Sequence, residues 1–380
     1  MIKRLLVLLA VLALVAAACG GTSDSEESTT TTAADGTTET TAATDSGGDA
    51  GQGTEGGILA AVQARGNLIC GVNNGVPGFG FVDDAGSFSG FDVDYCRAIA
   101  AAVLGDSEAV QFRVVEAADR GTVIQTGEVD VLIRNTTWTQ SRDAQWGGDF
   151  GVTTFYDGQG FMGLQSAGIT AESGPEVWEG AVVCTIQGTT SELNATNLAA
   201  VSGVTIDLVT YADADGFMNA LQSGQCDIAT TDKSQLASRK ATASPAEFSA
   251  DLIIPGYTFS KEPLGPVYQA NDSQWGDVVN WTVFASLIAE EKGITSTTLE
   301  SYLAANPDDT EAARLFGGAD DQLQGDMGLD ALAFANVITQ VGNYAEIYER
   351  NLGPDTPFNL PRGLNELWTQ GGLLYPPPAR

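Results

Sequence analysis

The 380-residue sequence contains no histidine, and its 17 lysine and arginine residues face 49 aspartate and glutamate residues, for a formal net charge of −32. Lack of histidine removes the usual general base and the most common metal ligand. Scarcity of positive charge argues against binding to nucleic acid or to an anionic lipid surface. The five cysteines include no C-x-x-C spacing, which disfavours zinc. We therefore expect no metal, no cofactor and no nucleic-acid partner.

Long apolar runs are also scarce, and the run near the start, residues 5–15, is too short for an ordinary spanning helix. Lys3 and Arg4 precede it, and three alanines followed by Cys19 come after it. This pattern resembles a bacterial lipobox, although Ala16 stands where leucine is usual. We expect residues 1–19 to be a lipoprotein signal peptide in which Cys19 receives lipid. A plain signal peptide that releases a soluble protein is the alternative.

Residues 20–57 consist mainly of Thr, Ser, Gly, Ala, Asp and Glu, with no lysine or arginine. Such a segment buries too little apolar surface to offset its ordering entropy, so it is expected to be a disordered tether. A lipid at one end and a folded body at the other predict anchoring at the extracellular face of the bacterial cytoplasmic membrane.

The remaining cysteines, Cys70, Cys96, Cys184 and Cys226, are even in number, as expected of an exported chain in an oxidising compartment. Four cysteines allow three pairings. We favour Cys70–Cys96 with Cys184–Cys226, because each bond then lies inside one prospective domain. The other two pairings would join two domains, and the sequence leaves them as alternatives.

Strand patterns alternate with helix patterns, which indicates an α/β fold with parallel sheets. The pattern runs over residues 58–155, restarts within 156–258, and is followed by mostly helical residues 259–380. We therefore expect a first lobe built from 58–155 and 259–380, a second lobe formed by 156–258, and a hinge of two extended crossings. Ligands of such sheets bind at the carboxyl ends of the strands.

Several motifs together resemble one family: LICGVNNGVPGF, GFDVDYCRAIAAAV, GEVDVLIRNTTWTQSRD, YDGQGFM, QGTTSELN, CDIATTDKSQL, SKEPLGPV, QVGNYAEIYERN and RGLNELWTQGGLLYPPPAR. The sequence is similar to the extracellular solute-binding proteins of polar amino-acid ABC transporters, in particular the general L-amino-acid (Glu/Gln/Asp/Asn-type) branch. The resemblance implies a two-lobe periplasmic-binding-protein-like fold of type II, with mostly parallel sheets, a two-strand hinge and extra C-terminal helices on lobe 1. It also implies a monomer that captures a small L-amino acid, delivers it to a membrane permease and is not an enzyme.

An amino acid presents a carboxylate and an ammonium group, so its receptor needs a guanidinium group and a carboxylate. Arg142 is our candidate for the ligand's α-carboxylate, with Thr137 and Asn135 as neighbouring donors or acceptors. The ordinary alternatives are a surface arginine and helix-capping side chains.

Asp232 is the candidate for the ligand's ammonium group, with Thr189 and Thr190 reaching the carboxylate from the second lobe. All three residues open helices, so simple capping is the alternative. Thr189 and Glu192 have the spacing of a capping box.

Phe79 and Trp138 are expected to form the apolar wall, with core packing as the alternative. Asn73 is also expected to bind the ligand. Asn73 and Val76 are neutral where relatives specific for basic or aromatic ligands carry acidic and aromatic residues, which disfavours a dedicated Lys, Arg or His receptor. Arg134 is expected in a salt bridge at the rim. Gly121 either enlarges the pocket or weakens a helix.

Two other functions stay open. Some proteins of this fold are dehydratases that act on cyclohexadienyl amino acids such as arogenate, and that chemistry needs a general acid at the substrate ring. A lipid-tethered receptor is also compatible with a surface amino-acid sensor.

Overall fold

The computed structural model describes residues 57–318 and 322–380, without the side chain of Gln322. The predictions for residues 1–56, including the lipidated Cys19 and most of the tether, lie outside this range. Within it, no helix has the length and apolarity needed to cross a membrane. The same residues contain no cluster of three or more His, Cys, Asp or Glu side chains suited to a metal ion.

The strands alternate with helices through the first two thirds of the described chain, and helices dominate the last third. The strands are β1 (Leu68–Val72), β2 (Gly75–Val76), β3 (Gly80–Val82), β4 (Phe88–Ser89), β5 (Val110–Val114), β6 (Val131–Leu132), β7 (Gly148–Phe150), β8 (Phe155–Asp157), β9 (Gln159–Leu164), β10 (Ala181–Ile186), β11 (Ile206–Tyr211), β12 (Ile228–Asp232), β13 (Leu252–Ile253), β14 (Glu262–Leu264) and β15 (Val267–Gln269). The helices are α1 (Gly57–Arg65), α2 (Phe91–Leu104), α3 (Arg120–Gln125), α4 (Gln140–Gln145), α5 (Thr190–Ser202), α6 (Ala214–Gln222), α7 (Lys233–Thr242), α8 (Ala246–Asp251), α9 (Ser273–Glu291), α10 (Leu299–Ala305), α11 (Thr310–Phe316), α12 (Gln322–Asp326), α13 (Ala333–Gln340) and α14 (Tyr344–Asn351).

One five-stranded sheet, in the order β5-β1-β6-β15-β7, organises the first lobe, which we call lobe 1. Strand β1 is parallel to β5 and β6, whereas β15 returns antiparallel. Helix α2 covers this sheet and ends at Gly105, whose left-handed φ of 72° suits glycine. Helices α9, α13 and α14 pack around α2 in the largest apolar core. The strands of lobe 1 and the C-terminal helices therefore share one apolar core.

A second five-stranded sheet, in the order β11-β10-β12-β9-β13, organises lobe 2. Strand β10 is parallel to β11 and β12, and β9 runs antiparallel to both of its neighbours, β12 and β13. Helices α5 and α6 pack against β10, β11 and β12. The carboxyl ends of β10 and β12 lead directly into α5 and α7, so the helix starts of lobe 2 gather at one sheet edge.

The hinge consists of β8 and β14, which pair antiparallel with Asp157 opposite Glu262. Tyr156 in β8 is held by the side chain of Asn365, which accepts from its N–H at 2.6 Å and donates to its C=O at 3.1 Å. Tyr344 donates its hydroxyl to the C=O of Thr154 at 2.9 Å. The C-terminal part of the chain thus fastens the first crossing to lobe 1. The predicted α/β architecture, with two sheets joined by a two-strand hinge, is confirmed.

Each disulfide lies within one lobe. The structure joins Cys70 to Cys96 and Cys184 to Cys226, each pair with a Cα–Cα separation of 6.0 Å. This is the local pairing that we favoured. Because neither bond crosses between lobes, neither restrains their relative motion.

Candidate ligand-binding site

The carboxyl ends of β6, β10 and β12 border a small cavity between the lobes, with a volume of about 20 Å³. We call it the clamp cavity. Its lining residues are Asn73, Arg120, Arg134, Asn135, Thr137, Arg142, Ile186, Thr189, Thr190, Ser191, Thr231, Asp232 and Gln235. Seven predicted site residues therefore meet here: Asn73, Asn135, Thr137, Arg142, Thr189, Thr190 and Asp232.

Arg142 lies in the first turn of α4, where Thr139 caps the helix by accepting from its backbone N–H. The side chain turns inward and is only 7% exposed. Its Nη1 donates to the C=O of Thr137 at 2.9 Å, and no other described residue accepts from its Nε or Nη2. Burial lowers the pKa of Arg142, while Glu262 and Asp232 raise it. A buried guanidinium group with unused donors is suited to a carboxylate.

Gly121 gives space to an aromatic ring, not to the cavity. A Cβ atom built there would lie 2.9 Å from two indole atoms of Trp146. That indole lies against the guanidinium groups of Arg142, at 5.0 Å, and Arg120, at 5.7 Å. The glycine thus lets Trp146 stack on two arginines of the site, a role that the sequence did not reveal.

Asn135, three residues after the end of β6, adopts the left-handed region, with φ of 41°. Its backbone N–H donates to the carboxyl group of Asp92 at 2.9 Å, and this hydrogen bond stabilises the conformation. Both polar atoms of its side-chain amide are buried without a hydrogen-bond partner among the described residues. Since buried polar atoms are normally satisfied, this amide is available to a ligand. The Asp92 pKa is raised to about 7 by burial.

Asp232 ends β12 and stands at the start of α7, but its side chain does not cap that helix. It is 7% exposed and makes no hydrogen bond or ion pair with any described residue. Burial raises the pKa of Asp232 well above its usual range, and the neighbouring carboxylates of Asp157 and Glu262 add to this, while Arg120 and Arg142 oppose it. The Asp232 carboxyl group therefore lines the clamp cavity without a bonded partner among the described residues.

The two threonines at the start of α5 differ in use. Thr189 caps the helix, accepting from the N–H of Glu192, and donates its hydroxyl to the C=O of Ile186 at 2.6 Å. Glu192 accepts from the N–H of Gly188, so the reciprocal capping box is not formed. The hydroxyl of Thr190 instead donates to Glu262 at 3.0 Å and lies 3.4 Å from that of Thr137.

The expectation of an apolar wall requires correction, since neither Phe79 nor Trp138 lines the clamp cavity. Phe79 is fully buried and packs edge-on against Phe91 and Phe155 in the core of lobe 1. Trp138 is 44% exposed and stacks on Phe150 at 5.7 Å. Ile186 supplies apolar surface in their place. The sequence offered one signal for this role, because Ile186 follows AVVCT at the end of a predicted strand.

Arg134 is not in a rim salt bridge. It is 8% exposed, its Nε donates to the C=O of Val115, and its terminal nitrogens have no acceptor within residues 57–318 and 322–380. Burial lowers its pKa to about 10, and Glu116 and Asp92 raise it. Arg120, which we did not select, is also buried and donates across the cleft to the C=O of Gly188 at 3.2 Å.

Direct hydrogen bonds join the lobes beside the cavity. Ser238 and Arg239 in α7 donate to the C=O groups of Pro77 and Gly75 at 2.6 Å and 2.9 Å. Together with the bond from Arg120 to Gly188, these contacts define a closed arrangement of the cleft.

Known proteins resemble this chain in sequence and in structure. Residues 68–178 match the family of bacterial extracellular solute-binding proteins, family 3. The chain is 45% identical to the putative amino-acid ABC transporter-binding protein YhdW of Escherichia coli (87% of this chain, 95% of that one). It is 45% identical to the glutamate/glutamine/aspartate/asparagine-binding protein BztA of Rhodobacter capsulatus (85% and 93%). It also resembles the solved ABC transporter periplasmic binding protein of Brucella ovis with glutathione bound, at 42% identity and a TM-score of 0.80 (85% and 99%).

Proposed function

The chain belongs to the bacterial extracellular solute-binding proteins of family 3, and on that premise we propose that it captures a polar L-amino acid for an ABC importer. The observation that carries this proposal is the pairing, in one cavity, of a buried arginine from lobe 1 and an unpartnered buried carboxylate from lobe 2. A zwitterionic amino acid supplies the counter-charge that each group lacks.

In this clamp, Arg142 binds the ligand's α-carboxylate in a bidentate pair, and Thr137 and Thr190 add hydroxyl groups from the two lobes. Asp232 binds the ammonium group. The free side-chain amide of Asn135 takes a further polar group of the ligand, and Asn73 borders the side-chain end. Thr189 contributes by fixing the start of α5, whose first N–H groups favour an anion.

Closure then follows from ligand contacts with both lobes. Because the ligand bridges groups from two bodies, it stabilises the closed arrangement over the open one. We propose that residues 58–155 and 259–380 move as one body and 156–258 as the other. The closed form would dock on the transporter's membrane permease and release the ligand there.

The setting of this receptor is part of the proposal. We propose lipid attachment at Cys19, a tether over residues 20–57, and a monomer at the outer face of the cytoplasmic membrane. Binding rather than catalysis is favoured because the names of the relatives describe binding proteins. Loss of amino-acid uptake on gene deletion distinguishes a transport receptor from a surface sensor, for which uptake would stay normal.

Calorimetric titration of the purified protein with the twenty common L-amino acids tests the proposal. We expect binding of Glu, Gln, Asp or Asn, with a decrease in the radius of gyration by small-angle scattering on ligand addition. Absence of binding throughout the panel, for a protein with a normal folding transition, would refute it. Conversion of arogenate or prephenate to a product would favour the dehydratase alternative.

A further inference from the structure

A second cavity, which we call the outer chamber, adjoins the clamp cavity. Its volume is about 150 Å³, and it is lined by Asn73, Asn74, Gly75, Val76, Glu116, Arg134, Ile186, Asp213, Ala214, Asp215 and Gln235. Asn73, Arg134, Ile186 and Gln235 line both spaces. These four residues form a border that the two spaces share, and the outer chamber is the larger of the two.

The border offers hydrogen-bond donors that no described residue uses. Asn73 uses its Oδ1 to accept from the N–H groups of Asn74 and Gly75, which leaves its Nδ2. Gln235 uses its Oε1 to accept from Thr231 at 2.7 Å, which leaves its Nε2. The terminal nitrogens of Arg134 are likewise unused by described residues. Donors from three residues that line both cavities are suited to an acyl oxygen, which accepts two or more hydrogen bonds.

Beyond the border the lining becomes acidic. Glu116 is exposed and forms no ion pair with a described residue, Asp213 caps α6 by accepting from Gly216, and Asp215 pairs with Arg239. Carboxylates disfavour a second anionic group and favour N–H donors or a cation. A free carboxylate on the ligand's side chain would accept from the donors at the border but would have no favourable partner in the acidic chamber. An amide would place its C=O at the border and its N–H in the outer chamber.

From these observations we propose that the cleft binds γ-glutamyl amides: glutamate whose side-chain carboxyl is joined to an amine, with the substituent in the outer chamber. The α-amino and α-carboxyl groups of such a ligand stay free for Asp232 and Arg142. The γ-carbonyl meets the donors of Asn73, Arg134 and Gln235. Uncharged or cationic substituents fit the acidic chamber better than anionic ones. This inference rests on the proposed function, because it uses the same clamp.

Titration of the full chain with glutamine, γ-glutamyl ethylamide and γ-glutamylglycine tests the assignment. We expect the ethylamide to bind within tenfold of glutamine or more tightly, and γ-glutamylglycine, which ends in a carboxylate, to bind more weakly than the ethylamide. If glutamine bound and the ethylamide did not, the outer chamber would not be a ligand site, while the proposed function would stand. If no ligand bound, the proposed function itself would fail.

Gly75→Leu localises the substituent. Gly75 lines the outer chamber, and a Cβ atom there has no neighbour within 4 Å, so the larger side chain is accommodated by the fold. Gly75 also accepts from Arg239 in the closing contacts, and an effect on closure would lower affinity for both ligands alike. We therefore expect the loss of affinity for the ethylamide to exceed the loss for glutamine at least threefold. Gly256→Leu, at an exposed glycine in lobe 2 away from both cavities, is the control and should change neither. Equal losses for both ligands in Gly75→Leu would overturn the assignment.

Glu116→Gln tests the role of charge. The side chain is exposed, so the substitution leaves the core untouched. We expect affinity for γ-glutamylglycine to rise about threefold, while affinity for the ethylamide stays unchanged. An unchanged preference between the two ligands would contradict the acidic character assigned to the chamber.

Discussion

The cleft edge of lobe 1 carries guanidinium groups, whereas the cleft edge of lobe 2 carries a carboxylate and hydroxyl groups. Arg120, Arg134 and Arg142 come from lobe 1, and Asp232 and Thr190 from lobe 2. Each edge by itself leaves buried charge without a bonded partner, which is costly. A ligand with both charges, held between the lobes, compensates both edges at once. The difference between the lobes therefore links recognition to closure, and it is open to test from either side.

Arg142→Ala removes the guanidinium group from the lobe 1 side of the clamp and should cause the largest loss of amino-acid affinity. Removal of one partner of a buried charge pair costs about 3–5 kcal/mol, so amino-acid affinity should fall by roughly 10²- to 10³-fold or more. Calorimetry measures this, and thermal unfolding checks that the fold persists. Arg113→Ala, at an exposed arginine paired with Glu128, is the control and should bind normally. Normal binding by Arg142→Ala would move the site elsewhere.

Asp232→Asn removes the charge from the lobe 2 side while its shape is kept. Loss of a charge-assisted hydrogen bond costs about 1.5–3 kcal/mol, so affinity at neutral pH should fall by about tenfold to a hundredfold. Asp207→Asn, at an exposed aspartate of β11, is the matched control. Native affinity in the Asp232→Asn variant would exclude Asp232 as the ammonium partner.

The same carboxylate predicts how native affinity depends on pH. The ammonium group binds ionised Asp232, whose pKa is raised, so affinity should weaken as pH falls through that pKa, and binding should release protons at pH values below it. Asp157, with a pKa raised to about 6 by burial, Glu262, Arg120 and Arg142 face the same group, so Asp232→Asn should flatten the profile without abolishing it. Calorimetry in two buffers with different ionisation enthalpies measures the released protons. A flat native profile would contradict this coupling.

Ser238→Ala tests closure apart from ligand contact. Its hydroxyl donates to Pro77 of lobe 1 and does not line the clamp cavity. A hydrogen bond contributes about 0.5–1.5 kcal/mol, so affinity should fall by threefold to about tenfold, mainly through faster ligand release. Thr242→Ala removes a hydroxyl that bonds within the same helix and should have no effect. Stopped-flow fluorescence compares the release rates, and equal rates would exclude this contact from closure.

Asp92→Asn should leave binding nearly unchanged, since Asp92 lies behind the cavity and Asn retains an acceptor for Asn135. Its effect is on stability. A carboxyl whose folded pKa is raised binds a proton in the folded state between its ordinary pKa and about 7, so its contribution to the free energy of unfolding is lost as pH rises through that window. The steepest slope is about 1.4 kcal/mol per pH unit. Denaturant unfolding at several pH values should show a flatter profile for the variant, and identical profiles would contradict the pKa.

The sequence predicted the strand ends, the two lobes and most of the polar residues at the cleft, because apolar runs and their polar continuations are local features. Side-chain direction is not local. Thr189 and Asp232 both open helices after strands, yet Thr189 caps its helix and Asp232 does not. Gly121 is explained by Trp146, which is 25 positions away and meets it only in the folded chain. Phe79 was placed in the pocket because composition cannot separate a core aromatic from a lining one.

The side chain of Asn365 hydrogen-bonds both the N–H and the C=O of Tyr156. Three residues further on, Gln159 is the first residue of this crossing that pairs within the sheet of lobe 2. Between these two anchors lie Asp157, which pairs with Glu262 of the other crossing, and Gly158. Asp157 is also one of the carboxylates that raise the pKa of Asp232. A carboxylate of the hinge strand therefore acts electrostatically on the candidate ammonium partner, so substitutions in this crossing should also change the ionisation of the clamp.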